Sequence, residues 1–206
     1  MRTAKPGNAR QLSIAGLLLW CAASVGILIA QTTMPGVSNQ DLLDGLKDPT
    51  HWLTYSGAYD GQRHSPLTQI TPQNVHRLAP QWTFQTDTMA LSRGFEATPL
   101  ALDGVLYVTG SNNYAWALDG RTGRAFWRYR RDLPPDLTYG ASAPVNRGFA
   151  VLSDRLFMVT LDAHLLAFDM KTGAVRWDVV LADYRIGYSA TLAPLIVKGR
   201  VIVGIS

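Results

Sequence analysis

Hydrophobic and polar positions divide the chain into two unlike parts. Residues 12–30 form an apolar run of nineteen residues without a charge, preceded by Arg2, Lys5 and Arg10. At ~1.5 Å per residue a helix of this length covers about 28 Å, close to the hydrocarbon thickness of a bilayer. The run therefore predicts an N-terminal apolar helix, a signal peptide or an uncleaved membrane anchor. Its basic flank should stay inside and the rest be exported. Residues 31–50 read as a polar linker with one short helix around residues 40–46. From His51 onward, short apolar runs alternate with Gly, Asn, Asp and Pro, and no helical period of any length is present. That pattern predicts an all-β domain over residues 51–206.

Within the β part the chain repeats itself. Residues 115–127 read AWALDGRTGRAFW and residues 165–177 read LLAFDMKTGAVRW. Ala117 matches Ala167, Asp119 matches Asp169, Thr122-Gly123 matches Thr172-Gly173, and Trp127 matches Trp177. The preceding strands match as well, Leu106-Tyr107-Val108 against Leu156-Phe157-Met158. A repeat of 45–50 residues built from short strands with one Trp each is the signature of a β-propeller. The Asp and the Thr-Gly pair make a tight turn, with Gly free to take positive φ. The returning strand carries a Trp whose indole covers the seam to the next blade and whose N–H needs a partner. Each Trp is expected to be pinned by its own Asp-x-x-Thr-Gly turn.

A second spacing orders the repeats. Trp82, Trp127 and Trp177 are each followed, seventeen residues on, by Pro99, Pro144 and Pro194. Taking the three prolines as equivalent, the extra five residues of the second repeat fall between Pro144 and Leu156. That segment contains Asn146-Arg147-Gly148, and variable segments of repeat proteins lie in loops, often on the binding face.

Composition adds limits. With 206 residues, 47% hydrophobic and a net charge of +4, the chain has the makeup of a globular protein. Its basic residues form no stripe, which argues against nucleic acid as a partner. Cys21 is the single cysteine, so no intrachain disulfide can form, and the bulky Trp20 before it does not suit lipid attachment.

Residues 51–78, HWLTYSGAYDGQRHSPLTQITPQNVHRL, resemble the opening of the pyrroloquinoline quinone (PQQ)-dependent alcohol dehydrogenases, the methanol/ethanol dehydrogenase family. The similarity continues through Glu96-Ala97-Thr98-Pro99-Leu100, the two Trp motifs, Asn146-Arg147-Gly148, Thr191-Leu192-Ala193-Pro194 and Gly204-Ile205-Ser206. It covers essentially everything from His51 onward. The resemblance implies an eight-bladed propeller of the quinoprotein dehydrogenase type, of which about three blades are present. These 206 residues are thus expected to be the N-terminal piece of a longer protein. It also implies oxidation of a small alcohol by hydride transfer to PQQ, with Ca²⁺ or a lanthanide polarising the quinone and a cytochrome c taking the electrons.

Carried over residue by residue, Glu96 resembles the family's glutamate beside the quinone, and Arg147 the arginine that bonds the cofactor. A planar guanidinium can hold a carboxylate or quinone oxygen with two donors, and PQQ offers three carboxylates. Thr191 and Ser206 resemble the hydroxyl donors to those carboxylates. The family's metal ligands, catalytic base and stacking Trp have no counterpart up to Ser206, so the chain is expected to supply a binding wall without turning over alcohol alone. Where better-known members carry two adjacent cysteines before Asn-Arg-Gly, this sequence has Ala141-Ser142. The apolar run and its basic flank give a periplasmic location as the expectation for the β part, exported or held at the inner membrane by residues 12–30. The competing reading is a non-catalytic PQQ-like propeller acting as a scaffold in envelope protein assembly.

Overall fold

The computed structural model describes residues 36–86, 95–138 and 144–206. The apolar run 12–30, Cys21 and Ala141-Ser142 lie outside the described residues. Among the described residues, no helix is long and apolar enough to cross a membrane.

Among the described residues, the β part is built from two four-stranded antiparallel sheets and a hairpin. Strands β1 (Leu100–Leu102), β2 (Val105–Gly110), β3 (Tyr114–Asp119) and β4 (Ala125–Arg130) form the first sheet in sequential order. Strands β5 (Ala150–Leu152), β6 (Arg155–Val159), β7 (His164–Asp169) and β8 (Val175–Val180) repeat that order in the second. Strands β9 (Leu195–Val197) and β10 (Arg200–Ile202) pair as the hairpin. The all-β, propeller-like architecture expected from the repeat is therefore present. The two sheets share their register: Trp127 sits opposite Ala117 and Trp177 opposite Ala167, with a bulge one residue further along β3 and β7.

Registers correct the proline spacing. Leu100 pairs Tyr107, Ala150 pairs Phe157 and Leu195 pairs Ile202, so Leu100, Ala150 and Leu195 are equivalent. The residue before each is Pro99, Phe149 and Pro194. Pro144 is not a counterpart of the other two. It lies five residues earlier, in a coil where its carbonyl accepts the Asn112 N–H at 2.9 Å. The five extra residues thus lie between Trp127 and Phe149, ahead of the strand approach that carries Arg147.

The tryptophans also lock differently from the expectation. Trp127 donates its indole N–H to the Met170 carbonyl at 3.0 Å, and Trp82 donates to Gly120 at 3.1 Å. Each indole lies on the glycine of the next sheet's turn rather than its own. A Cβ on Gly173 would sit 2.6 Å from Trp127, and one on Gly123 2.5 Å from Trp82. Both glycines also hold a φ near +72°, which L-residues avoid. The turns are shaped by their own aspartates. Asp119 accepts from the N–H groups of Arg121 and Thr122, and Asp169 from those of Lys171 and Thr172.

The core fills the seam between the sheets. Trp127 lies parallel to Phe168 with centroids 6.5 Å apart, while Phe149 and Tyr129 meet Phe168 edge-on. Residues expected to be a linker belong to this unit. Helix α1 (Asn39–Asp44) is capped reciprocally by Ser38 and Asp41, as a capping box requires. It buries Leu42, and the buried Val37 pairs with Ser153. Further along, Trp52 pairs with Ala101, and the Tyr59 hydroxyl donates to the Ile196 carbonyl. The short helix expected around residues 40–46 is present, and the segment is held by Val37, Leu42, the Val37–Ser153 pairing and the Gly199 N–H that Asn39 accepts.

Candidate functional site

Antiparallel pairing sorts the connections to two ends. Tight turns such as Asp103-Gly104 and residues 119–123 lie at one end of the sheets. The segments entering β1, β5 and β9, and the exit from β10, lie at the other. Glu96, Arg147 and Thr191 are each a few residues before the first strand of a sheet or hairpin. The topology therefore gathers residues far apart in sequence at one end.

The structure brings three of the four expected residues into direct contact. Arg147 Nη2 is 2.8 Å from Glu96 Oε2, and Nη1 donates to Thr191 Oγ1 at 2.5 Å. The ion pair is partly open to solvent, with side-chain exposures of 38% and 32%, so it orients the guanidinium more than it stabilises the fold. The main chain provides the alignment. Thr98 N–H donates to the Arg147 carbonyl at 3.0 Å, and Arg147 N–H to the Thr191 carbonyl at 2.9 Å. Arg147 is thus the middle member of three side-by-side segments.

Ser206 is placed beside this group, without a direct bond to it. Its backbone exchanges both hydrogen bonds with Ser189, at 2.8 and 3.2 Å. Ser206, Ser189 and Thr191 line one cavity of about 260 Å³. Arg147 faces a second cleft of about 360 Å³ whose walls include Leu53, Tyr55, Tyr59, Leu192 and Ile196.

Asn146 and Gly148, named in the sequence only as neighbours of Arg147, turn out to position it. Asn146, 1% exposed, donates to the Val159 carbonyl at 2.9 Å and accepts the Gly148 N–H at 3.1 Å. Gly148 has a φ of +137°, and a Cβ there would lie 2.9 Å from the Thr98 carbonyl oxygen. Asn anchors the segment, Gly lets it pass Thr98, and Arg projects between them. A buried Asn beside a Gly ahead of a strand is the signal that could have found them.

A second polar cluster was also unforeseen. Arg131 holds Asp162 through Nε and Nη2, at 2.7–2.9 Å, and Asp178 through Nη1 at 2.9 Å. His164 Nδ1 lies 2.5 Å from Asp178. This clasp joins the residue after β4 of one sheet to the β6–β7 turn and β8 of the next. Among the described residues, no group of three or more His, Cys, Asp or Glu side chains is disposed to hold a metal ion.

Comparison with known proteins gives the same direction. Residues 52–206 match the family described as PQQ glucose/ethanol/alcohol dehydrogenase, β-propeller domain. The chain is 39% identical over 180 residues to the quinoprotein alcohol dehydrogenase PedH of Pseudomonas putida, covering 87% of this chain and 30% of that protein. Among solved structures, quinohemoprotein alcohol dehydrogenase ADHIIG from Pseudomonas putida superposes with a TM-score of 0.75 at 38% identity, over 84% of this chain and 25% of the other. A europium-containing methanol dehydrogenase gives a TM-score of 0.75 at 34% identity, over 82% and 29%. The chain spans less than a third of the length of these relatives. With the match running from Trp52 to Ser206 over the two sheets and the Glu96–Arg147–Thr191 group, the chain belongs to the PQQ-dependent glucose/ethanol/alcohol dehydrogenase β-propeller family.

Proposed function

We propose that this chain forms one wall of the PQQ pocket of a quinoprotein alcohol dehydrogenase. The observation that carries the reading is the convergence of Glu96, Arg147 and Thr191 at one end of the sheets. A cationic fork and small hydroxyls make a donor set suited to a ligand bearing three carboxylates and quinone oxygens. Arg147, steadied by Glu96 and Thr191, would meet a carboxylate without first having to be ordered, which favours binding. Ser206 would donate its hydroxyl from the neighbouring cavity. When bound, PQQ supplies the hydride-accepting quinone, with Ca²⁺ or a lanthanide held by groups outside this chain.

In this reading the two sheets and the hairpin are about three blades of a larger propeller. Small alcohols are its substrates and a cytochrome c its electron acceptor. Residues 12–30 carry the chain to the periplasm or hold it at the inner membrane. A scaffold propeller would have no use for a guanidinium fixed by an acid and a hydroxyl at the strand entries.

The test is titration of the chain with PQQ, followed through quenching of its tryptophan fluorescence. Arg147→Ala should weaken binding by about 1.5–3 kcal/mol, the range for hydrogen bonds to charged groups. Equal affinity of the two proteins would remove Arg147 from the pocket and the reading with it.

A further inference from the structure

The turns that join the first two strands of each sheet, and those of the hairpin, share one backbone shape. Asp103, Ser153 and Lys198 open them with φ of +49°, +54° and +49°. These turns are equivalent and lie at the end away from Glu96, Arg147 and Thr191.

Residues 37–59 bond to all three of these units. Val37 and Ser153 exchange both backbone hydrogen bonds, at 2.9 and 2.6 Å, and Trp52 and Ala101 do so at 2.8 and 3.0 Å. The hairpin is held differently, by side chains. Asn39 Oδ1 accepts the Gly199 N–H at 2.9 Å, and the Tyr59 hydroxyl donates to the Ile196 carbonyl. Among the described residues no strand pairing joins the hairpin to either sheet, and β9 packs beside β5. Its placement therefore rests on packing and on single bonds such as these.

Each unit also supplies one member of the site: Glu96 precedes the first sheet, Arg147 the second and Thr191 the hairpin. The bond from Arg147 to Thr191 thus depends on how the hairpin is set against the second sheet. We infer that Asn39 and Tyr59 are positioning residues, holding the β9–β10 hairpin so that the Thr191 hydroxyl meets the Arg147 guanidinium. The inference rests on the PQQ-pocket reading for its ligand and adds what sets the geometry of the pocket. Donors already in place bind more tightly than donors that must first be ordered. Asn39 lines neither cavity, so its effect on binding passes through the hairpin.

Wild type, Asn39→Ala, Asn39→Asp, Tyr59→Phe, Thr191→Ala and Arg147→Ala are to be titrated with PQQ by fluorescence quenching. Amide hydrogen exchange at Arg147 and Thr98 is to be followed without PQQ. Asn39→Ala and Tyr59→Phe should each bind about threefold more weakly, within the worth of one neutral hydrogen bond. Asn39→Asp keeps the accepting oxygen and should bind as wild type does. In a Thr191→Ala background neither Asn39→Ala nor Tyr59→Phe should weaken binding further. Without PQQ, both should speed exchange of the Arg147 amide, which donates to the Thr191 carbonyl, and leave that of Thr98 unchanged.

Wild-type exchange at Arg147 in both variants overturns the inference, and so does a further loss of affinity in the Thr191→Ala background. Wild-type affinity in Asn39→Ala and Tyr59→Phe, with Arg147→Ala weakened, overturns it and leaves the pocket reading standing. Faster exchange at Arg147 in both variants, with wild-type affinity in Arg147→Ala, removes the pocket reading and keeps the positioning of the hairpin.

Discussion

The two four-stranded sheets have the same strand order and register, yet they agree at one end and differ at the other. At the turn end Asp119, Thr122 and Gly123 repeat as Asp169, Thr172 and Gly173, and each glycine is covered by a Trp of the preceding segment. At the opposite end, counterparts share a backbone but not a chemistry. Asn113 and Ala163 are equivalent and hold φ of +57° and +59°. Beside them the first sheet presents Asn112 and Tyr114, with Arg130 over the Tyr114 ring at 5.6 Å. The second presents Asp162 and His164, tied to Arg131 and Asp178. The turn end is constrained by an indole pressed on a glycine, a contact that almost no substitution leaves intact. The other end is held by backbone pairing, so its side chains are free to diverge into ion pairs or a binding site.

That contrast can be broken most severely at the turn end. Trp127→Ala should cost about 3–5 kcal/mol, the range for large aromatic truncations in a core, measured by denaturant unfolding. Trp82→Ala should cost less, because Trp82 is half-buried where Trp127 is buried. Equal costs would show that the Phe168 and Phe149 contacts of Trp127 add nothing.

Gly173→Ala should cost about 3 kcal/mol, combining a strained φ with overpacking against the indole. Paired with Trp127→Ala, the costs should fall short of additive, because removing the indole also removes the clash. Additive costs in the double mutant would place the strain in φ alone.

At the variable end, Arg131→Met leaves Asp162 buried at 5% side-chain exposure without its guanidinium. A loss of about 2 kcal/mol is expected, below the range for a fully buried broken pair because Asp178 is partly exposed. Arg131→Met combined with Asp162→Asn removes the buried charge along with its partner and should recover much of the loss. A double mutant as unstable as Arg131→Met would mean that the stranded charge of Asp162 is not the source of the loss.

The smallest expected effect is a difference in acid sensitivity. Burial alone would raise the Asp169 carboxyl, but hydrogen bonds from Arg176 and Thr172 outweigh it and bring the group down to about 2. A folded-state value below the unfolded one gives stability that is complete above pH about 4 and lost as pH falls toward 2. Asp119 is also lowered, chiefly by the Arg121 backbone N–H, but its sheet has Phe126 where the second has Arg176. Asp169→Asn should therefore flatten the acid limb of the stability curve more than Asp119→Asn does. Equal flattening would deny Arg176 any part in it.

Legibility in the sequence follows the same division. The turn end was readable because its determinants are adjacent: Asp, Thr, Gly and Trp fall within nine residues and recur at one offset. Glu96, Arg147 and Thr191 were readable through family resemblance, and pairing shows why they meet. Pro144 misled because a spacing of seventeen residues is a count along the chain, whereas equivalence is set by strand register. The Arg131–Asp162 clasp spans 31 residues and has no local pattern. The helix of the segment around Val37 and Leu42 was legible, but its attachment to the sheets was not, because Val37–Ser153 is a pairing across more than a hundred residues with no local pattern.

Arg147 has both its main-chain groups committed, its N–H to Thr191 and its carbonyl to Thr98. The position is therefore anchored before its side chain does anything. A codon change at 147 alters the side chain presented there while leaving the main-chain bonds of three segments intact. The side chain at this position can change without first having to rescue the architecture. Position 173 offers no such latitude, since there the atom that must be missing is the architecture.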